Sequence, residues 1–243
     1  MESKVWFKTA CKQNGVELTD EQLEKIKSYA KLLLEWNKQV NLISRKDEGN
    51  LWSSHLLHSV SVLFKLNIPP RGSVLDLGTG GGLPGIPLKI LLPGISLTLL
   101  DSTQKKIKVV QNILEVLSLK STIAVWGRAE EISKQPVHQK HYDMIVARGV
   151  GSLGDLARWS WPLLKEGRGQ GGEQPKRQIH AQGADRIDVE TPALIAWKGG
   201  DLSQEIRSVA HNKCVRSIRI IDLTLKGSIQ FEQSDKKIVL VNF

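Results

Sequence analysis

Apolar positions in the first part of the chain recur at the spacing of a helix. A capping-box pattern begins at Thr19, and apolar residues then fall every three or four positions, which predicts an amphipathic helix over about 20–40. A second helical pattern runs from about 53 to 66 and stops before the prolines at 69–70. Together these patterns predict an N-terminal helical extension over residues 1–68.

Beyond residue 70 the pattern alternates between strands and helices. Strands are predicted at 74–77, 96–101, 122–126, 142–147, 193–198, 216–223 and 236–242. Helices are predicted at 84–92, 103–118, 153–165 and 202–211. Such alternation predicts an α/β fold with a mostly parallel sheet and helices on both faces. The last two strands have no helix between them, so we expect a hairpin that makes one terminal strand antiparallel.

One segment, 167–191, fits neither pattern because it is rich in glycine and glutamine and has almost no apolar period. A loop of this length is uncommon inside a compact domain, so it is predicted to be a flexible surface insertion. A tolerated surface loop would have this composition. Its basic residues are nevertheless candidates for contacts with RNA: Arg168, Lys176, Arg177 and Arg186.

The stretch 73–87, SVLDLGTGGGLPGIP, has the form of a strand, a glycine loop and a helix. Backbone without side chains lets a ligand approach closely, and Gly78 begins such a turn directly after the strand ends at Leu77. Asp101 ends the next strand, where a carboxylate can accept hydrogen bonds from ribose hydroxyls. Asp76, inside the first strand, suits a nearby cationic or amino-acid group.

A nicotinamide or flavin cofactor has to be weighed, because Gly80-x-Gly82-x-x-Gly85 satisfies the dinucleotide pattern. However, the turn begins at Gly78, and in that frame the sixth position is Leu83 rather than glycine, so no pyrophosphate clamp is implied. The lysine of a nucleoside triphosphatase loop is also absent from this turn. An adenosyl sulfonium needs the close backbone approach alone, which favours that ligand.

Composition and charge add a partner class. The 243 residues are 40% hydrophobic and 24% charged, as in an ordinary globular protein, and no apolar run approaches the roughly 20 residues that span a bilayer. A net charge of +9 suits a polyanionic partner such as RNA, although many basic proteins bind none. The N-terminus lacks an apolar signal core and the two cysteines are isolated, so we expect a cytoplasmic protein.

Several motifs together resemble one family. The chain contains, in order, WNKQVNLISRKD, SHLLHSVSVL, LDLGTGGGLPGIPLKI, LTLLDSTQKKIKVVQNIL, GRAEE, YDMIVARGV and LIAWKGGDL. They resemble the small-subunit ribosomal RNA guanine-N7 methyltransferases, also called the glucose-inhibited division protein B family. The resemblance covers nearly the whole chain. It implies a Rossmann-like S-adenosylmethionine-dependent methyltransferase domain over 69–243 with a seven-stranded sheet.

The same resemblance implies the reaction and the partner. The expected activity is methylation of N7 of a guanine in 16S ribosomal RNA, within the small subunit or its assembly intermediate, by a monomer. The implied cofactor-binding residues are Gly78, Gly80, Leu83, Asp101, Ser102, Thr103, Ala129, Glu130 and Arg148. Arg148 also ends a central strand, where ligands bind in open sheets, so it is a candidate for a substrate contact. Lys198 is an analogous, weaker candidate.

No catalytic base, nucleophile or metal ligand is expected. Guanine N7 carries a lone pair in the plane of the ring, so methyl transfer needs no prior proton removal and depends on proximity and orientation. His55 and His58 lie three positions apart on one helical face, but no third metal ligand is near. Four tryptophans are candidates for stacking on the target base: Trp36, Trp126, Trp159 and Trp161.

Two departures from the family and two alternatives stay open. His58 stands where the family usually has an aspartate, and the family typically lacks the insertion at 167–191. The segment WNKQVNLISRKD is either a plain turn between helices or an RNA-contacting or lid segment. The alternative functions are methylation of another RNA or of a protein, and RNA binding or assembly by a non-catalytic protein that retains the fold.

Overall fold

A computed structural model of the chain describes residues 3–167, 186–227 and 235–243. Its N-terminal part is helical. The elements are α1 Lys4–Gln13, α2 Asp20–Asn37, a 3₁₀ helix Arg45–Asn50, a π-helix Leu51–Leu57, α3 His58–Val60 and α4 Val62–Lys65. The predicted capping box is present at the start of α2, where the Thr19 and Gln22 side chains bond each other's backbone N–H groups.

Within the described residues, seven strands form one sheet. The strands are β2 Gly72–Leu77, β3 Ile95–Asp101, β4 Thr122–Trp126, β5 Met144–Arg148, β7 Ala193–Gly199, β8 Ser217–Asp222 and β9 Lys236–Asn242. Their spatial order is β4-β3-β2-β5-β7-β9-β8, and β9 runs antiparallel to both of its neighbours. The predicted mostly parallel sheet with an antiparallel terminal hairpin is therefore confirmed.

Helices cover both faces of this sheet. They are α5 Gly85–Leu91, α6 Gln104–Val116, α7 Ala129–Ile132, α8 Leu153–Ser160 and α9 Ser203–Ala210. No helix in the described part of the chain is long and apolar enough to cross a membrane. The predicted helix over 153–165 is too long, because Pro162 has no N–H group with which to continue α8.

The segment predicted to be helical over about 53–66 is helical, but it is not one regular α-helix. The chain there passes through the π-helix and two short helices, and two of its backbone carbonyl groups accept bonds from side chains. The His55 carbonyl accepts from Ser59 Oγ and from Arg148, and the His58 carbonyl accepts from Ser61 Oγ and from Trp197 Nε1. These bonds replace part of the regular helical pattern.

The predicted insertion at 167–191 is described at its two ends. Residues 168–185 lie outside the described residues, and so do 228–234 in the terminal hairpin. Ile187–Asp188 forms a strand, β6, which pairs in parallel with a second short strand, β1 Leu66–Asn67. Arg186, one of the predicted RNA contacts, donates a hydrogen bond to the Gly15 carbonyl.

The N-terminal helices share an apolar core with one face of the sheet. Leu33 of α2 is fully buried, and a Cβ atom built on Gly81 would lie 2.6 Å from its Cδ1 atom. The Tyr29 hydroxyl, also fully buried, donates to the Gly81 carbonyl at 2.9 Å. The division of the chain into 1–68 and 69–243 stays a prediction, and the core is continuous across it.

Replacing Leu33 by alanine tests this shared core. We expect the free energy of unfolding to fall by about 2–5 kcal/mol, because a fully buried side chain leaves a cavity between α2 and the glycine loop. Urea unfolding followed by circular dichroism and tryptophan fluorescence should shift as one transition. The control is Leu32→Ala, at a partly buried position on the same helix, and it should lower the free energy of unfolding by less. Separate transitions for the N-terminal helices and the sheet would contradict the shared core.

Candidate functional site

The glycine loop after β2 takes backbone conformations that only glycine adopts without strain. Gly78, Gly80 and Gly82 have φ angles of +73°, +57° and +99°. The N–H groups of Gly78 and Thr79 donate to the Leu100 carbonyl at 2.8 and 2.9 Å, which ties the start of the loop to β3. The loop is therefore a fixed turn at the carboxyl edge of the sheet, where open parallel sheets bind ligands.

Asp101 holds the loop and the following turn together. Its Oδ2 atom accepts the Gly80 N–H at 2.9 Å, and its Oδ1 atom accepts the Thr103 N–H at 2.8 Å. A carboxylate has about four lone-pair sites, so these two bonds leave capacity for ribose hydroxyls. The predicted acceptor is thus also a structural link between β3 and the glycine loop.

A cleft lies at this edge, and five of the nine predicted cofactor residues line it: Gly78, Asp101, Ser102, Ala129 and Glu130. Its apolar walls are Leu77, Leu100, Val150 and Trp159. The sequence motifs did not identify Val150, Arg128 or Gly127 as site residues. Their proximity in the sequence to Arg148 and Ala129 could have indicated them.

The other four predicted residues lie outside the lining of the cleft. Gly80 and Thr103 adjoin it through their bonds to Asp101. Leu83 is 5% exposed and packs in the apolar core. The Arg148 side chain is directed to the N-terminal part of the chain rather than lining the cleft.

Arg148 and His55 form a close polar pair. Arg148 donates from Nη1 to the His55 carbonyl at 3.2 Å, and its Nη2 lies 3.1 Å from His55 Nδ1. Because arginine can only donate, His55 Nδ1 must be unprotonated. Burial and then the Arg148 charge lower the pKa of His55 to about 4, which agrees with that state. The same two causes hold the pKa of His58 well below its ordinary value.

Asp76 is fully buried beneath the loop. Its Oδ2 atom accepts the Thr79 hydroxyl at 2.7 Å and the Gly85 N–H at 2.8 Å. Its Oδ1 atom has no hydrogen-bond partner among the described residues. Burial raises the pKa of Asp76 to about 6, and its hydrogen bonds and the Arg148 charge oppose that rise. The cation near this carboxyl is therefore the chain's own Arg148.

The segment WNKQVNLISRKD is an ordered turn packed on the glycine loop. Asn37 Oδ1 accepts the Leu42 and Ile43 N–H groups at 2.8 and 3.0 Å, and Asn37 Nδ2 donates to Glu48 at 2.6 Å. A Cβ atom built on Gly81 would lie 3.1 Å from Leu42 Cβ. One buried asparagine side chain thus shapes the turn and places it at the edge of the site.

The four tryptophans divide by location. Trp36 Nε1 donates to Asn112 of α6 at 3.1 Å, and Trp161 packs against Phe243. Trp159 lines the cleft. Trp126 is 58% exposed beside it, and its Nε1 donates to the Ser102 carbonyl at 3.1 Å. Of the four, Trp126 and Trp159 are therefore the two that lie at the cleft.

The cleft residues fit an adenosyl group. Apolar walls suit a purine, Asp101 suits ribose hydroxyls, and the glycine backbone permits close approach. The cleft volume is about 130 Å³, below the roughly 300–1,000 Å³ of typical small-molecule sites. Val150 bounds the cleft on one side, and its methyl group would overlap a Cβ atom built on Gly78.

Comparisons with known proteins show the family of the chain. Residues 22–182 match the family described as rRNA small subunit methyltransferase G. The Alkaliphilus metalliredigens protein named ribosomal RNA small subunit methyltransferase G is 38% identical over 167 residues, which are 69% of this chain and 70% of the relative. The Exiguobacterium sibiricum protein of that name is 29% identical over 240 residues, 97% of this chain and 89% of the relative.

A solved structure supports the fold. The structure of a predicted O-methyltransferase from Agrobacterium tumefaciens has a TM-score of 0.53 and 14% sequence identity, and the match covers 77% of this chain and 79% of that chain. At this identity the likeness concerns the fold alone.

Replacing Asp76 by asparagine tests the buried carboxyl. The pKa of about 6 in the folded chain exceeds the ordinary 3.8, so ionisation makes wild-type stability fall as pH rises from about 4 to 6. Asparagine keeps an acceptor for Thr79 and Gly85 and does not titrate. We expect the stability of the variant relative to wild type to rise across this window by up to about 3 kcal/mol.

Urea unfolding at pH 4, 5, 6 and 7 measures the effect. Asp201→Asn is the control, because hydrogen bonds from Ser203 lower the pKa of that exposed carboxyl. Its effect should lie below about pH 4 and have the opposite sign. A pH-independent difference between Asp76→Asn and wild type would contradict the raised pKa.

Proposed function

This chain belongs to the rRNA small subunit methyltransferase G family, and from that membership we propose that it methylates N7 of a guanine in 16S ribosomal RNA. The reaction class is S-adenosylmethionine-dependent methylation of ribosomal RNA. The choice of N7, action on the small subunit or its assembly intermediate, the monomeric state and a cytoplasmic location are parts of the proposal.

The observation that supports the proposal best is the position of Asp101. Its carboxylate lies at the cleft, bonds the glycine loop through Gly80, and adjoins Ser102 in the lining. A ribose bound there would place the methionine end of the cofactor toward the glycine loop. The adenine would lie toward Ala129 and Glu130, which also line the cleft.

Bound S-adenosylmethionine supplies an electrophilic methyl group on its sulfonium. The transfer forms the N7–carbon bond and breaks the sulfur–carbon bond, and N7 gives up no proton. The chain's own residues therefore have to hold the methyl donor and the guanine in the reactive orientation. Such orientation can lower the activation free energy by roughly 7–11 kcal/mol. The rigid loop bonded by Asp101 suits this task, because a fixed backbone holds a ligand in one place.

Arg148 has a supporting part in the proposal. It uses two of its nitrogen atoms on His55 and adjoins the segment that carries Val150 over the glycine loop. We propose that Arg148 positions the end of β5 through its bonds to His55, so that its effect on the substrate is indirect.

Replacing Gly78 by alanine tests the cofactor site. We expect cofactor binding to be lost, because alanine is strained at a φ of +73° and its methyl group would meet Val150. Gly49→Ala is the matched control, since nothing lies within 4 Å of a Cβ atom there. Calorimetry with S-adenosylmethionine and with its homocysteine product measures binding, and thermal unfolding reports whether each variant is folded. A folded Gly78→Ala variant with wild-type affinity would rule out this placement.

Mapping of methylated guanine in 16S RNA tests the function as a whole. Deleting the gene should remove one N7-methylguanine, and adding the purified chain and S-adenosylmethionine to subunits from the deletion strain should restore it. Mass spectrometry of nuclease fragments locates the methyl group. An unchanged N7-methylguanine pattern after deletion would refute the substrate. A labelled methyl group on protein, or intact cofactor binding without transfer, would indicate one of the alternative functions.

A further inference from the structure

A basic groove lies beside the glycine loop. It has a volume of about 700 Å³, and its lining includes Lys38, Asn41, Leu42, Arg45 and Lys106. The turn that follows α2 supplies one wall, and the first turns of α6 supply the other. We propose that this groove, defined by Lys38, Arg45 and Lys106, binds the RNA backbone phosphates next to the target guanine. The inference rests on the proposed function.

The fold separates the charges of the turn. Arg45, Lys46, Asp47 and Glu48 cancel in the sequence, yet the two acidic side chains have partners in the N-terminal part. Asp47 lies 3.6 Å from His55 Nε2, and Glu48 accepts from Asn37. Arg45 lines the groove, where neither carboxylate is among the lining residues. The groove therefore carries a local positive charge that the sequence composition hides.

The cations of the groove also differ from those of the neighbouring helices. Lysines on the outer faces of α1 and α2 are paired with acidic side chains: Lys4–Glu24, Lys8–Asp20, Lys25–Glu21 and Lys31–Glu35. Lys38, Arg45 and Lys106 make no ion pair with any residue that the structure describes. Converging cations repel one another, and a polyanion that displaces its counterions on binding relieves that repulsion.

The walls of the groove are fixed before any ligand binds. Asn37 bonds the backbone of the turn, and Trp36 Nε1 bonds Asn112 on α6. Because Lys106 lies on the same helix as Asn112, the Trp36 bond ties the end of α2 to the helix that carries Lys106. Preorganised cations lose less freedom on binding a phosphate chain than cations on a mobile tail.

The groove adjoins the cofactor cleft. The Leu42 carbonyl lies 4.0 Å from a Cβ atom built on Gly80, and Lys106 follows Thr103 by three residues. Asp101, which lines the cleft, bonds both Gly80 and Thr103, so it links the cleft to the residues that lie beside the groove. RNA bound in the groove therefore presents a neighbouring nucleotide to the cofactor. The amides of Gln39 and Asn41 line the groove and add donors that suit phosphate and sugar oxygens.

The test compares two triple variants with equal loss of charge. The groove variant replaces Lys38, Arg45 and Lys106 by alanine. The control variant replaces Lys108, Lys120 and Lys213, which are exposed and do not line the groove. Lys108 is the closest match for Lys106, because it lies two positions along the same helix and is directed elsewhere. Affinity for a 16S RNA fragment containing the target guanine is measured by fluorescence anisotropy from 50 to 300 mM KCl.

We expect the groove variant to bind the RNA about 10–100-fold more weakly near 0.1 M salt. The slope of log affinity against log salt should decrease by about 2, since each phosphate contact contributes about 0.7–0.9. The control variant should keep a slope near that of wild type. Calorimetry should give both variants the wild-type affinity for S-adenosylmethionine, which distinguishes a lost RNA contact from a damaged fold.

Three outcomes would overturn the inference. Equal slopes of log affinity against log salt for the groove and control variants would show that RNA binding depends on net charge alone and not on where the cations lie. Weaker binding to the assembled subunit with unchanged binding to naked RNA would identify a protein partner instead. If the wild-type chain methylates 16S RNA and the groove variant does so with unchanged kinetics, the groove inference fails while the proposed function stands. A wild-type chain that binds this RNA through the groove but methylates no guanine would refute only the function.

Discussion

The structure depends on the glycine loop after β2, where backbone without side chains is packed against other parts of the chain on several sides. The Gly81 position is covered by Leu33 and Leu42 from the N-terminal part, and the Gly78 position is covered by Val150 from the end of β5. A methyl group at either glycine would push these neighbours apart. The glycines therefore serve two purposes, because the absence of side chains admits a ligand and also lets distant parts of the chain meet at one loop.

Buried polar groups hold this arrangement in place. Asp76 and Asp101 each bond two groups of the loop or the turn beside it, so both carboxylates are structural before any ligand arrives. A half-satisfied buried carboxylate is costly, and the raised pKa of Asp76 reflects that cost. Arg148 moderates it through its charge and at the same time bonds His55. The loop is therefore joined to the N-terminal part by charge as well as by packing.

The sequence predicted most of the sheet and the edge where ligands bind, because strand and loop patterns are local. It did not predict the π-helix at Leu51–Leu57, in which the His55 carbonyl accepts a bond from Arg148, a residue far away in the chain. The shape of the 38–45 turn was also missed, since it depends on Asn37 being buried. The motifs indicated Gly78, Asp101 and Ala129, whereas the position of Val150 over Gly78 depends on tertiary packing that no local pattern shows.

The packing implies that the cofactor cleft and the N-terminal part respond to one another. A ligand that displaced Val150 from its place above Gly78 would move a residue that follows Arg148 by two positions. Arg148 bonds His55, and Asp47 of the 3₁₀ helix lies beside the same histidine. Close-packed interiors transmit such displacements because they have no free volume to absorb them. The polar contacts of His55 with Arg148 and Asp47 therefore join the end of β5 to the Arg45–Asn50 helix, which carries one of the cations of the basic groove.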